Sequence, residues 1–222
     1  RQTMGNLFNM DNPFFQALSK LCYMLFISIA YIFLCIPIIT IGPATTALYY
    51  AVVKVIRRER GYIFREFFKS FRLNFKKGAI IGIVLTFVFI ILGFDLVYAW
   101  GLTEPDSSKG SLLMGVFIGI TFLAVSFSIY VFPILSRFDM TVKQLFKAAS
   151  YMSMRHIPYT LLMILVNALV VVIVIFVFPF IFIAPATATL INSLMMERIF
   201  KKYMPESDGP GEETGKDEWY LE

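Results

Sequence analysis

Charged residues are scarce in this chain of 222 residues. They make up 16 % of it and hydrophobic residues make up 58 %, whereas about a quarter of the residues in an ordinary soluble domain are charged. The mean hydropathy is +0.74. This composition excludes a typical soluble domain and indicates an integral membrane protein.

Side chains suited to catalysis or metal binding are also few. The chain has one histidine, His156, and two cysteines. Cys22 and Cys35 fall on one predicted helix about 20 Å apart, given a rise of 1.5 Å per residue, so they cannot pair with each other. No nucleophile motif, glycine-rich phosphate loop or zinc-protease motif is present. We therefore expect no catalytic site, no cofactor, no metal site and no enzymatic activity.

Long apolar runs provide the membrane-spanning segments. Crossing a hydrocarbon layer of ~30 Å takes roughly 20 helical residues, and four runs reach that length: 18–38, 78–100, 111–134 and 157–181. Two shorter runs, 42–56 and 184–200, either span fully or lie at the interface. Cytoplasmic loops collect Lys and Arg, and six crossings put every basic cluster on the inner side. The sequence predicts an all-α, polytopic bundle of about six transmembrane helices with both termini cytoplasmic.

A junction motif occurs twice, at an offset of 142 residues. TIGPAT at 40–45 returns as FIAPAT at 182–187. Proline suits the first turn of a helix, where its missing N–H is harmless, and small residues let two membrane helices approach closely. We predict two structural hairpins on the outer side, related by an internal parallel repeat. Their residues are Pro37, Pro43, Ala44 and Thr45 in the first copy and Pro179, Pro185, Ala186 and Thr187 in the second.

Two basic segments between the spans are predicted to form cytoplasmic amphipathic helices. In residues 62–77, phenylalanines at helical spacing face one way and basic residues the other. In residues 138–152, Thr141 and Gln144 have the spacing of a capping box. Each helix is either an interfacial anchor or a docking surface for another protein. The residues predicted to bind a partner are Arg65, Phe67, Phe71 and Arg72.

Polar residues within the spans are the remaining candidates for a function. Asp95, Asn167 and Asn192 stand in otherwise apolar segments. The asparagines would either join two helices through a hydrogen bond or line a polar cavity together with Asp95 and the threonines Thr45, Thr46, Thr187 and Thr189. A transporter that used such a cavity would carry a neutral solute, because so few charges accompany it.

The two ends of the chain differ from its membrane part. Residues 1–17 lack the basic region and cleavage site of a secretory signal and are predicted to form an amphipathic lead-in to a single transmembrane domain, 18–204. Residues 205–222 hold seven acidic residues against one lysine and are predicted to be a disordered acidic tail. The positive charge of the body belongs to its cytoplasmic face, so a nucleic-acid partner is not expected.

Three stretches resemble a known family. GNLFNMDNPFF, CIPIITIGPATTALYY and FFKSFRLNFKKG are similar, in order and spacing, to the YesL family of bacterial integral membrane proteins, a domain of unknown function. The resemblance covers roughly residues 4–202. It implies a protein of the Gram-positive plasma membrane that occurs with sugar-utilisation genes, frequently beside carbohydrate ABC importers.

Three functions follow as hypotheses. The first is an accessory or assembly subunit of a carbohydrate ABC importer, with the lipid bilayer and permease subunits as partners. The second is a self-standing transporter of a small neutral solute, which the repeat favours. The third is a membrane-bound regulator of sugar utilisation, which the acidic tail favours.

Overall fold

The computed structural model describes residues 13–102 and 108–203. This part of the chain is helical and contains no strand, so the predicted all-α class is confirmed. Its α-helices are α1 (Pro13–Leu34), α2 (Ile41–Ala51), α3 (Ile63–Leu73), α4 (Phe75–Gly101), α5 (Ser108–Arg137), α6 (Val142–Arg155), α7 (Ile157–Phe176) and α8 (Ala184–Phe200). A π-helical segment, Val52–Arg57, extends α2.

Five helical stretches are long and apolar enough to cross a membrane. They are Gln16–Leu34, Ile38–Arg57, Phe75–Gly101, Gly110–Arg137 and Ile157–Phe176. Large apolar side chains such as Phe33, Phe94, Leu112 and Phe176 are exposed on α1, α4, α5 and α7, as expected for surfaces that face lipid. Five of the six predicted spans are therefore found. α8, with 17 residues, is not among them, and its crossing stays a prediction.

The two junctions share one local structure. α1 ends at Leu34 and α7 ends at Phe176, positions that correspond in the repeat, and a 3₁₀ turn precedes the next helix in both copies. Each helix ends three residues before its proline, because the residue that precedes a proline disfavours the α conformation and the proline cannot donate a hydrogen bond. Helical runs are therefore shorter than the apolar runs, which continue to residues 38 and 181.

The second hairpin is tied to α1 by a hydrogen bond. The Ala186 N–H is one of the first amides of α8, which have no partner within their own helix. It donates to Ser28 Oγ at 3.1 Å. Ala44 and Ala186 are both fully buried, in agreement with the close packing predicted at these positions.

The centre of the bundle is α2. About 67 % of its candidate span is buried, against 22 % or less for the other four. Ala44, Ala47, Ala51 and Val52 are fully buried, and helices α1, α3, α4, α5 and α8 all pack against α2. Small side chains on several faces of one helix explain how it can have so many neighbours.

α2 and α4 approach each other through glycines. A Cβ placed on Gly42 would lie 2.0 Å from the carbonyl oxygen of Gly78, and one on Gly82 would lie 2.8 Å from the Gly42 nitrogen. The two backbones are therefore in direct contact. No side chain larger than hydrogen fits between them at Gly42.

This contact corrects the predicted topology. We placed Gly42 at an outer turn and Gly78 at the inner start of a span, but two backbones in contact cannot lie at opposite surfaces of a ~30 Å layer. That placement is wrong. The reason is the course of α3: Lys54 on the extension of α2 pairs with Glu66, and Gly42 meets Gly78, so residues 66–78 run antiparallel to α2 instead of forming a loop at one surface.

The second amphipathic helix matches its prediction. The capping box at the start of α6 is confirmed, because the Thr141 N–H donates to Gln144 Oε1 at 3.0 Å and the reciprocal bond is present. The buried face of α6 carries Leu145, Ala149 and Met152, as expected for an amphipathic helix. The acidic tail, and residues 1–12 of the lead-in, lie outside the described residues.

Gly42→Ala tests the α2–α4 contact. Its methyl group would collide with the backbone of Gly78, which cannot rotate away, so we expect the detergent-solubilised protein to unfold at a markedly lower temperature. Gly93→Ala is the matched control, because a Cβ there meets nothing within 4 Å and alanine favours a helix by about 1 kcal/mol. Equal melting temperatures for the two variants would contradict the contact.

Candidate functional site

The predicted partner-binding residues on α3 do not share one surface. Phe67 is fully buried and packs between α2 and α3, and Phe71 is partly buried and stacks on Phe67 with ring centroids 6.5 Å apart. Arg65 and Arg72 are exposed. The prediction that Phe67 contacts a partner is wrong, because α3 packs against α2 with that ring facing inward.

The inward face of α3 is partly polar. It consists of Ile63, Glu66, Phe67 and Ser70, and not of the phenylalanine stripe that the spacing predicts. Glu66 accepts a hydrogen bond from Lys54 Nζ at 2.9 Å, and both side chains are about 10 % exposed. The buried ammonium of Lys54 requires a carboxylate partner, so this ion pair explains why Glu66 lies inside and Phe64 and Phe68 lie outside.

A cavity of about 240 Å³ lies between α1, α2, α5, α7 and α8. Its polar lining residues are Tyr31, Thr45, Tyr49, Ser128, Asn167, Thr189 and Asn192. Its apolar lining residues are Leu48, Ile129, Phe132, Pro133, Pro185, Ala188 and Met196. The cavity therefore combines neutral hydrogen-bonding groups with apolar surface.

The structure brings together four of the polar residues considered in the sequence. Asn167, Asn192, Thr45 and Thr189 line this cavity, although they come from α2, α7 and α8. The other three lie elsewhere. Thr46 and Thr187 each donate to the carbonyl four residues earlier, Gly42 and Ile183, and Asp95 is partly buried on α4.

One buried hydrogen-bond acceptor at the cavity has no partner among the described residues. Asn167 Nδ2 donates to the Met163 carbonyl at 2.7 Å, and the hydroxyls of Tyr31 and Thr45 lie 3.2 Å apart. Asn192 Oδ1 is buried and has no hydrogen-bond partner among the described residues. The bond that we considered between the two asparagines is therefore not formed.

A buried carboxylate lies beside the cavity. Glu197 on α8 accepts a hydrogen bond from the cavity-lining Tyr49 at 2.9 Å, and it pairs with Arg137 through both guanidinium Nε and Nη2. Arg58 Nη2 is 3.5 Å from Glu197 Oε2. Burial and the neighbouring Arg137 lower the pKa of Arg58. Glu197 therefore joins α8 to the end of α5, the last turn of α2 and the residue that follows the π-helical segment.

Sequence reasoning missed Glu197 and its partners. Glu197 is an acidic residue within the predicted span 184–200, and ionisable residues inside a span are costly and often functional. That signal was sufficient to identify the residue. Its partners could not be identified in this way, because Tyr49, Arg58 and Arg137 are far from Glu197 in sequence.

His156 lies between α6 and α7 and contacts the residues after α8. Its Nε2 is 3.0 Å from the Tyr203 hydroxyl, and the two rings meet edge to face. Burial, followed by the positive charges of Lys202 and Arg155, lowers the pKa of His156. Within the described residues, no three His, Cys, Asp or Glu side chains are grouped in a way that could hold a metal ion.

Parts of this chain are similar to a family model and to two curated proteins. Residues 20–96 match the family model described as "Protein of unknown function, DUF624". Uncharacterized protein YesL of Bacillus subtilis (strain 168) is 25 % identical over 101 residues, which cover 46 % of each chain. The predicted resemblance to a YesL-like family is confirmed. Uncharacterized protein YteU of the same organism is 29 % identical over 125 residues, which cover 56 % of this chain and 54 % of YteU.

These matches have a limited extent. The chain spans about half the length of the curated relatives that it matches, and no solved structure matches it. The DUF624 match contains most of α1, all of α2 and α3, and most of α4. It therefore includes the glycine contact and the Lys54–Glu66 pair, whereas α5, α7 and α8, which supply three walls of the cavity, lie outside it.

Glu197→Gln tests the buried ion cluster. The substitution keeps the shape of the side chain but removes the negative charge that the buried Arg137 contacts through Nε and Nη2, and breaking a buried pair typically costs about 3–5 kcal/mol. Glu59→Gln is the matched control, because the Lys20–Glu59 pair is exposed and such pairs contribute about 0–1 kcal/mol. The measurement is the free energy of unfolding in a denaturing detergent. Similar losses at both positions would be inconsistent with a structural role for Glu197.

The lowered pKa of His156 predicts a dependence on pH. Because the folded-state pKa lies below the unfolded-state value of about 6.5, the neutral ring contributes stability that is complete above that value and is lost as the pH falls through the folded-state pKa. We expect the melting temperature of the wild type to fall more between pH 7.5 and pH 5 than that of His156→Gln. A steeper fall for His156→Gln than for the wild type would mean that protonation of His156 stabilises the folded state, which would contradict the lowered pKa.

Proposed function

We propose that this protein is a non-enzymatic accessory or assembly subunit of a carbohydrate ABC importer and that it binds the importer's permease subunits. The five candidate membrane helices indicate a multi-pass membrane protein, which is the environment that such a role requires. The resemblance to the YesL family supports the importer as the partner. The proposed role involves no making or breaking of covalent bonds.

The outward face of α3 carries this proposal. Phe64 and Phe68 are 45 % and 41 % exposed, and the exposed side chains of Arg65 and Arg72 lie on the same helix. Aromatic residues and arginine are enriched at the centres of protein interfaces and dominate their binding energy. The docking surface that we propose therefore consists of Phe64, Arg65, Phe68 and Arg72, with Phe64 and Phe68 in place of the buried Phe67 and the partly buried Phe71.

The proposed location is a bacterial plasma membrane, with both termini in the cytoplasm. The contact between His156 and Tyr203 supports this orientation because it brings the basic residues Arg155 and Lys202 to the same end of the bundle. Basic clusters collect on the cytoplasmic side.

The docking surface can be tested by co-purification. We would change Phe64 and Phe68 to Ala and Arg65 and Arg72 to Gln in one variant, and purify it in mild detergent from cells that express the importer. We expect recovery of the permease subunits to fall at least tenfold, because interface anchors of this kind contribute about 2 kcal/mol or more each. Uptake of the importer's sugar should fall with it.

A matched control lies on α6. Tyr151 and Met154 are exposed large side chains, and Lys143 and Lys147 are exposed basic residues. Changing the first two to Ala and the lysines to Gln alters a similar amount of apolar area and charge on another helix. Permease recovery that is equal for both variants, or absent with the unmodified protein, would contradict the proposal.

A second candidate function is transport of a small neutral solute by this protein alone. The observation that favours it is the neutral, partly polar cavity between α1, α2, α5, α7 and α8. Solute sites of membrane transporters lie between helices within the bundle. Uptake by vesicles that contain only the purified protein would support this candidate over the first.

A further inference from the structure

The size of the cavity limits what it can hold. Its volume of about 240 Å³ is below the ~300–1,000 Å³ of pockets that bind drug-sized ligands. Residues of five helices line it, and it is partly open to the surroundings of the bundle. A solute of about one sugar ring or smaller fits these limits.

The charge of the lining limits the ligand further. All the residues that line the cavity are uncharged. The nearest carboxylate identified is Glu197, which contacts the lining residue Tyr49 and is already paired with Arg137 and Arg58. An ion in the cavity would lose hydration without a counter-charge among the lining residues, which is unfavourable. The ligand is therefore neutral.

The hydrogen-bonding groups of the lining indicate which polar groups a ligand would need. Asn192 lines the cavity, and its buried Oδ1 lacks a partner among the described residues. An unsatisfied buried acceptor is destabilising, and an O–H or N–H from a ligand would satisfy it once the amide turns toward the cavity. The lining also includes apolar side chains such as Leu48 and Phe132. A ligand with both hydroxyl groups and C–H groups matches this lining.

From these observations we infer that the cavity is a binding site for a small neutral polyhydroxylated solute, with Asn192 as the principal hydrogen-bond acceptor and Thr189 beside it. This inference deepens the second candidate function and rests on it for the path of the solute. Binding itself is independent of whether the protein docks on an importer.

Thermal stabilisation of the purified protein tests the site directly. The protein would be held in a detergent whose headgroup is not a sugar, and glycerol, D-xylose and D-glucose would be added as neutral probes. D-glucuronate and D-glucosamine are charged probes of similar size. A ligand at 100 times its Kd stabilises the folded state by about 2.7 kcal/mol, which gives a measurable rise in Tm. We expect this rise with at least one neutral probe and with neither charged probe.

Two substitutions connect the effect to the site. Asn192→Leu keeps the branching at Cγ but replaces the amide with methyl groups, and we expect it to weaken binding about fivefold to tenfold, as for the loss of one hydrogen bond. Thr189→Val is a milder second variant that serves if Asn192→Leu does not fold. Ser193→Ala is the control: Ser193 is the buried neighbour of Asn192 and bonds to its own helix, and its loss should leave the Kd unchanged.

Several results would overturn the inference. They are stabilisation by charged and neutral probes alike, stabilisation by an alkyl chain alone, no response to any neutral probe, and equal Kd values for the wild type, Asn192→Leu and Thr189→Val. Uptake of the bound solute into vesicles is measured separately. Binding without uptake would support the binding site but contradict transport by this protein alone. Failure of the protein to bind an importer would contradict only the first proposed function.

Discussion

The close packing of α2 in the middle of the bundle is the constraint on which the other features depend. Membrane helices gain no hydrophobic free energy from leaving lipid for one another, so they associate through tight contact between small residues. Gly42 permits backbone contact with Gly78, and the buried alanines of α2 permit approach from other sides. A bulkier α2 would separate α4 from α1 and α8 and would change the space between them.

An ion pair and a charge-assisted hydrogen bond also connect this central helix to its neighbours. Lys54 pairs with Glu66 on α3, and Tyr49 reaches the carboxylate of Glu197 on α8. Buried charges of this kind contribute little net stability compared with apolar residues of the same size, but losing one partner is costly. They fix the direction of α3 along α2 and the position of the end of α8.

The same arrangement produces both candidate sites. Because Glu66 turns inward to meet Lys54, Phe64 and Phe68 are left on the outer face of α3, where they accompany Arg65 and Arg72. Because the small residues of α2 and α8 do not fill the space between α5 and α7, a neutral cavity remains beside Tyr49. One surface suits a protein partner and the other suits a small solute.

The sequence by itself determined the membrane class, the helical content, five spans, the repeated junction and the cap of α6, because these follow from local hydropathy, proline geometry and side-chain spacing. It also identified Asn167 and Asn192 as candidates for lining a polar cavity, which both of them do. Tertiary structure alone decided which face of α3 is buried, that Gly42 and Gly78 lie at one level, and that Glu197 is held by Arg137. Those outcomes depend on contacts between residues far apart in the chain, and neither periodicity nor charge counting reports such contacts.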